Sequence, residues 1–139
     1  MNKTLHDTLV SIATDVRFWA EGRADQGDED LNGWCAKASG QLFRVLQEEG
    51  IPAEIHMWSW HNDESAHVFV VVEDHVVDVT ATQFGPFRNV PVLIMHKREA
   101  EAHEFYRTEK VFADADELRR HQKKTRWPNN QVAYERLLG

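Results

Sequence analysis

Cys35 is the only cysteine in this chain of 139 residues, so no internal disulfide can form. An unpaired thiol suits a reducing compartment, and the cytoplasm is the expected location. No run approaches the ~18 consecutive apolar residues that a membrane span needs. The first twenty residues interrupt their apolar positions with Asp7 and Asp15, and no small-residue cleavage site follows, so they are not read as a signal peptide. Positive charge is also scarce: 16 Lys and Arg stand against 23 Asp and Glu, a formal net charge of -7. That field repels phosphate backbones, and no nucleic-acid partner is expected. The one basic cluster, Arg119, Arg120, Lys123, Lys124 and Arg126, follows Asp114, Asp116 and Glu117. Acids before bases match the macrodipole of a helix and describe its wet face.

Internal repeats, low-complexity tracts and linkers are missing too, so residues 1–139 are read as one domain. With 42% hydrophobic and 28% charged residues, the chain has the composition of an ordinary globular protein and not of a disordered or coiled-coil one. There is no GxGxxG or phosphate-binding loop, and no organic cofactor is expected. His56, His61, His67 and His75, with Asp63, Asp74 and Asp78, raise the question of a metal. Their spacing fits neither HExxH nor CxxC nor a helical His pair, so no metal site is assigned.

What is present alternates clearly between helical and extended patterns. Leu5, Leu9, Ile12, Ala13, Val16 and Trp19 recur at helical spacing behind Thr4 as a candidate N-cap, giving a helix over 4–20. GRADQGDEDLNG, residues 22–33, has loop composition. A central helix follows over 35–49, with Ala38, Leu42, Val45 and Leu46 on one face and Gly50 and Pro52 as stop signals. Gly40 inside it costs roughly 1 kcal/mol relative to alanine, which suggests that another element approaches there.

After Pro52 the period changes to that of a strand. AEIHMWSW reads as extended, HNDES as a polar turn and HVFVVVED as a β-branched strand covered on both faces. HVVDVTAT forms the next strand. The Asp74-His75 pair is expected to reverse the chain and make 66–73 and 76–82 an antiparallel hairpin. PVLIM at 91–95 reads as an edge strand or buried connection, KREAEAHEF as helical or turn-like, and FYRTEKVF as extended. DADELRRHQKK and QVAYERLL read as short helices separated by 127–130. Helices, then an antiparallel sheet, then helices describe an α+β domain with helices packed on a small antiparallel sheet.

The chemistry gathers at three positions. Cys35 falls in the first turn of the central helix, where free N–H groups and the macrodipole favour thiolate. His67 lies where a polar turn enters an apolar strand, at the expected sheet edge near solvent. Asp78 interrupts the next strand, and a carboxylate among apolar neighbours is costly unless paired. Pairing it with His67 removes that cost and orients an imidazole that can exchange a proton with Cys35. Trp58 and Trp60, two apart on one strand, share a face and are candidate walls of an acyl or peptide pocket, as is Trp34 beside the nucleophile. For an oxyanion, the Cys35 N–H and the Asn32 side chain are the candidate donors.

GWCAKASGQLFRVLQEEGIPAEI, then AHVFVVV, then VVDVTAT resembles the core of the transglutaminase-like, papain-related cysteine enzymes, over about residues 30–84. The likeness lies in the order and spacing of Cys at a helix start, His on one strand and Asp on the next. The Gly-Gln-Cys-Trp and Cys-Gly-Ser-Cys-Trp signatures of better-known members are replaced by Asn32-Gly33-Trp34-Cys35. The resemblance implies Cys35 as nucleophile, His67 as general base and acid, and Asp78 as orienter, in a hydrolase or acyltransferase acting on an amide, peptide or glutamine side-chain amide bond. A protein or peptide is the implied substrate. The alternative is a catalytically inactive protein-binding module on the same scaffold.

Overall fold

The computed structural model describes residues 1–24, 31, 33–60 and 65–124. The sequence periodicity becomes α1 (Lys3–Arg23) and α2 (Cys35–Glu48), then strands β1 (Glu54–Trp60), β2 (Ser65–Val72) and β3 (His75–Asp78). β4 (Leu93–His96), the single turn α3 (Lys97–Ala100), β5 (Lys110–Phe112) and α4 (Ala115–Lys124) follow. The strands form one antiparallel sheet in the order β4-β3-β2-β1-β5. The architecture is therefore α+β, with helices on a five-stranded antiparallel sheet.

Period-two alternation in β2 divides the core into two layers. Val70 and Val72 point toward the helices, where Leu9, Ala13, Val16 and Ala20 of α1 and Ala38, Leu42 and Leu46 of α2 complete one apolar cluster. Val68, on the same face, joins Phe43, Ile55, Met57 and Phe112, which meet Ala115 and Leu118 of α4 in a second. Phe69 and Val71 point the other way, into a layer made by Ala81, Phe87, Leu93, Ala100 and Tyr106. Residues 81–92 and 97–107, short helical turns joined by irregular chain, thus cover the far face of the sheet. Both faces of β2 are sealed, which explains its nearly unbroken apolar sequence.

Local rules set the element ends. Asn2, and not Thr4, caps α1, its Oδ1 accepting the Leu5 N–H at 2.8 Å. α2 stops at a left-handed Gly50 (φ 71°), with the Ile51 N–H donating to Leu46 O at 2.9 Å in the manner of a glycine C-cap. At α4, Asp114 Oδ1 accepts the Glu117 N–H while Glu117 Oε2 accepts the Ala113 N–H. This is a reciprocal cap one residue displaced from the usual box.

Three expectations change in detail. The hairpin reverses at Glu73-Asp74, both with positive φ (46° and 61°), and Val72 pairs with His75. That is a two-residue turn of the primed type, whose twist suits a hairpin. β3 stops at Asp78 and does not continue to 82, because the Asp78 carboxylate captures the Thr80 N–H and the chain turns into a 3-10 segment at Ala81–Gln83. The extended reading of FYRTEKVF holds only for Lys110–Phe112, since Glu104–Tyr106 is another 3-10 turn. The expected helix QVAYERLL and the HNDE part of the polar turn lie outside the described residues.

The close approach anticipated at Gly40 is made by α4, but loosely: an added Cβ would lie 3.9 Å from Ala115 Cβ and 4.0 Å from the Arg44 guanidinium. These are ordinary contacts, so the entropy argument governs. Gly40→Ala is expected to stabilise the fold by roughly 0.5–1 kcal/mol, read as a higher urea midpoint at unchanged m-value. A lower midpoint would mean that the α2–α4 contact tolerates no methyl group.

Candidate functional site

Leu31 is fully buried in the left-handed region (φ 59°), and Gly33 follows at φ 84°. The Trp34 N–H donates to Leu31 O at 3.0 Å, turning the chain so that α2 begins at Cys35. Burying leucine there offsets a backbone cost of roughly 1–2 kcal/mol. The early end of β3 then decides what the start of α2 touches. In the hairpin register Val70 pairs with Val77, leaving Ala66 and Val68 of β2 beyond the last β3 partner. Their carbonyls are satisfied by α2: the Ser39 hydroxyl donates to Val68 O at 3.0 Å and the Cys35 thiol to Ala66 O at 3.7 Å. Cys35 and Ser39 stand one helical turn apart on one face, the spacing that reaches two alternate carbonyls of a strand.

His67 and Asp78 meet on the opposite face. A two-residue turn keeps residues of like orientation across the hairpin, so continuing the register sets Phe69 beside Asp78, and His67 lies two residues along on the same face. An odd loop would have sent one of them to the other side. His67 Nε2–H donates to Asp78 Oδ2 at 2.7 Å, with both side chains buried. Thr80 donates to Asp78 Oδ1 twice, from its N–H at 2.8 Å and its hydroxyl at 3.1 Å, and the Tyr106 hydroxyl donates to Oδ2 at 2.6 Å. The carboxylate takes four donors.

Protonation follows from this arrangement. Burial disfavours a charged Asp78, but His67, Tyr106 and Thr80 outweigh it and hold its pKa below the ordinary value. Burial likewise works against imidazolium, yet the Asp78 charge and hydrogen bond prevail. With a smaller contribution from Cys35, they raise His67 to about 9. Since Nε2 is committed to Asp78, Nδ1 is the ring nitrogen left for the thiol. Nδ1 is buried and has no hydrogen-bond partner among the described residues. Thiol and imidazole are thus neighbours at the start of β2: the thiol donates to Ala66 O at 3.7 Å, and Cys35 adds smaller hydrogen-bonding and charge contributions to the raised pKa of His67.

His67 is wholly enclosed and not at a solvent edge, because residues 81–107 wall it in. The Phe84 ring meets it edge-on at 4.7 Å, Tyr106 at 5.5 Å and Phe105 at 6.2 Å, and Phe69 stacks at 5.8 Å. Trp58 is directly opposite His67 across β1–β2, and its ring lies 4.5 Å from that of Trp60, which in turn faces Phe84 at 6.4 Å. These tryptophans belong to the His67 side. Trp34 goes elsewhere: it is half-buried against Trp19 of α1 at 6.4 Å, with Lys37 Nζ 5.0 Å from its ring centre. Asn32 lies outside the described residues. The Cys35 N–H, in the first turn of α2, has no intrahelical acceptor.

Tyr106, Thr80, Ser39 and Phe84 complete the site without having been singled out in the sequence. Thr80 carried a local signal, since Asp-x-Thr commonly closes such a turn. Tyr106, 28 residues from Asp78, carried none. Of the other histidines raised as metal ligands, His61 lies outside the described residues, as does Asp63. His56 bonds Thr108 and Glu54, and burial lowers its pKa; His75 bonds Glu73 O at the hairpin. No cluster of three metal-ligating side chains occurs among the described residues, and no described helix is long and apolar enough to cross a membrane. No protein-family model, curated protein or solved structure matches the chain.

The ion pair also sets a pH window for stability. A raised His67 pKa stabilises the fold fully below its ordinary 6.5, and the effect is lost as pH climbs through about 9. A lowered Asp78 pKa stabilises above its ordinary 3.8, with loss as pH falls through the lower folded value. Asp78→Asn is therefore expected to cost roughly 3–5 kcal/mol at pH 6, with the deficit narrowing above pH 9, as read by urea unfolding at both values. A deficit independent of pH would show that the pair is not ionised in the fold.

Proposed function

We propose that this protein is a cysteine-dependent hydrolase or acyltransferase of the transglutaminase-like type, acting on an amide or peptide bond, or a glutamine side-chain amide, through Cys35, His67 and Asp78. The observation that carries this reading is a buried imidazole whose Nε2 is locked to a saturated carboxylate. Among the described residues its Nδ1 has no hydrogen-bond partner of full geometry, and Cys35, the only cysteine, is the neighbour that acts on the ring from α2. Most buried side-chain polar atoms are bonded, so a bare ring nitrogen calls for an explanation, and proton exchange with Cys35 supplies one.

In the forward half-reaction the Cys35 thiolate, its proton held on His67 Nδ1, attacks the substrate carbonyl carbon, forming a C–S bond as the carbonyl π electrons move onto oxygen. The tetrahedral adduct collapses by breaking the C–N bond, and His67 Nδ1–H delivers its proton to the departing amine. A thioester on Cys35 remains. Water or a second amine then surrenders a proton to Nδ1 and attacks the thioester, and the C–S bond breaks to regenerate the thiolate beside a protonated His67. Asp78 stays ionised throughout and holds the ring, which is the orienting role of a triad carboxylate. The N–H of Cys35 is positioned to donate to the oxyanion. Trp58 and Trp60 would border the acyl group. The substrate is a protein or peptide segment, and a reducing compartment such as the cytoplasm keeps the sulfur available.

One observation favours a second reading. Cys35 is only 6% exposed, as a protein-binding module that has lost catalysis would allow. Para-nitrophenyl acetate, a generic acyl donor for thiols, separates the two. Wild type is expected to form an acetyl adduct on Cys35 and to release acetate with turnover. Cys35→Ala should do neither, and His67→Ala should slow turnover by about 10²–10⁴-fold. Absence of any adduct on a folded wild-type protein would leave the binding module as the reading.

A further inference from the structure

Asp78 Oδ2 accepts two hydrogen bonds of similar length, from His67 Nε2 at 2.7 Å and from the Tyr106 hydroxyl at 2.6 Å. Tyr106 is fully buried at the end of the 3-10 turn Glu104–Tyr106, and its ring meets that of His67 edge-on. A buried phenol needs a partner, and with Oδ1 taken twice by Thr80 the Tyr106 hydroxyl goes to Oδ2. The hydroxyl shares the one oxygen that holds the imidazole.

We propose that Tyr106 is a positioning residue: by occupying Asp78 Oδ2 together with His67 Nε2, it pins the carboxylate, keeps Nδ1 directed to Cys35 and tempers the hold of Asp78 on the imidazole proton. This rests on the catalytic reading for its consequence, but not for its geometry. The charged or titratable groups that act on His67 are Asp78 from β3 and Cys35 from α2. Phe69, Phe84 and Phe105, which also pack on the ring, carry no charge. Asp78 in turn faces His67, Tyr106 and Thr80. Burial, and then the nearby carboxylate charge, push the phenol far above its ordinary pKa, so it remains a donor at every working pH.

The sign of its effect follows. When His67 is neutral, Asp78 carries its full charge unshared and the tyrosine hydrogen bond is strongest. The hydroxyl therefore favours neutral imidazole over imidazolium. Without it, His67 should keep its proton to higher pH.

The test is a pH titration of the His67 imidazole nitrogens by NMR. Tyr106→Phe retains the ring and removes only the hydroxyl, and the midpoint is expected to move up by roughly one unit. Replacing both tyrosines of the chain with 3-fluorotyrosine, a stronger and nearly isosteric donor, should move it down, so a poorly folding Phe variant would not leave the matter open. An unmoved midpoint, or shifts of the same sign in both proteins, would overturn the proposal. Alkylation of Cys35 in His67→Ala separates the two layers of the account. A rate unaffected by loss of His67 would sink the catalytic reading while leaving the titration result standing, and the converse pattern would sink only the role of Tyr106.

Discussion

The buried carboxylate of Asp78 is the constraint around which this fold is arranged. An ionised group so deep would cost several kcal/mol if left unpaired, and four donors drawn from three parts of the chain prevent that. Each donor has a structural consequence. Thr80 turns the backbone and ends β3. Tyr106 fastens the covering layer of residues 81–92 and 97–107 onto the sheet. His67 is held by one nitrogen with the other left over.

The early end of β3 connects that carboxylate to Cys35. Were β3 to run on to residue 82, the carbonyls of Ala66 and Val68 would be candidates for the sheet ladder, and α2 would have no acceptors at the start of β2. With β3 ending at Asp78, Ser39 and Cys35 serve those two carbonyls, which sets the height of α2 against the sheet. The turn that shields the carboxylate thus helps to seat the thiol beside the imidazole. The aromatic groups Phe84, Phe105 and Tyr106 add the dry surroundings in which an ion pair keeps its strength.

The parts legible in the sequence were those governed by local periodicity. The two long helices, the β1–β2–β3 succession and the basic helix α4 follow from apolar spacing, Gly50 and the acid-to-base order of residues 114–124. Cys35, His67 and Asp78 could be named because each is chemically out of place for its pattern. Three features were not legible. The reversal point depends on two non-glycine residues adopting positive φ, which Glu73 and Asp74 do not announce. The enclosure of His67 comes from short turns such as Glu104–Tyr106, whose residues meet the ring only through tertiary packing. Tyr106 and Ser39 bond groups 28 and 29 residues away, and no local pattern encodes such a distance. Trp34 shows the opposite limit: adjacency to Cys35 in sequence does not bring its ring to the His67 side, since successive residues at a helix start diverge by about 100°.

The measurement that tests the central claim most directly is the pH dependence of Cys35 alkylation by iodoacetamide, in wild type beside His67→Ala and Asp78→Asn, with folding verified by circular dichroism. The account predicts that wild type reacts faster than both variants at neutral pH and that this advantage disappears as His67 loses its proton near pH 9. Slow alkylation indifferent to both substitutions would contradict it, leaving His67 and Asp78 as a structural pair and Cys35 as a buried thiol of the core.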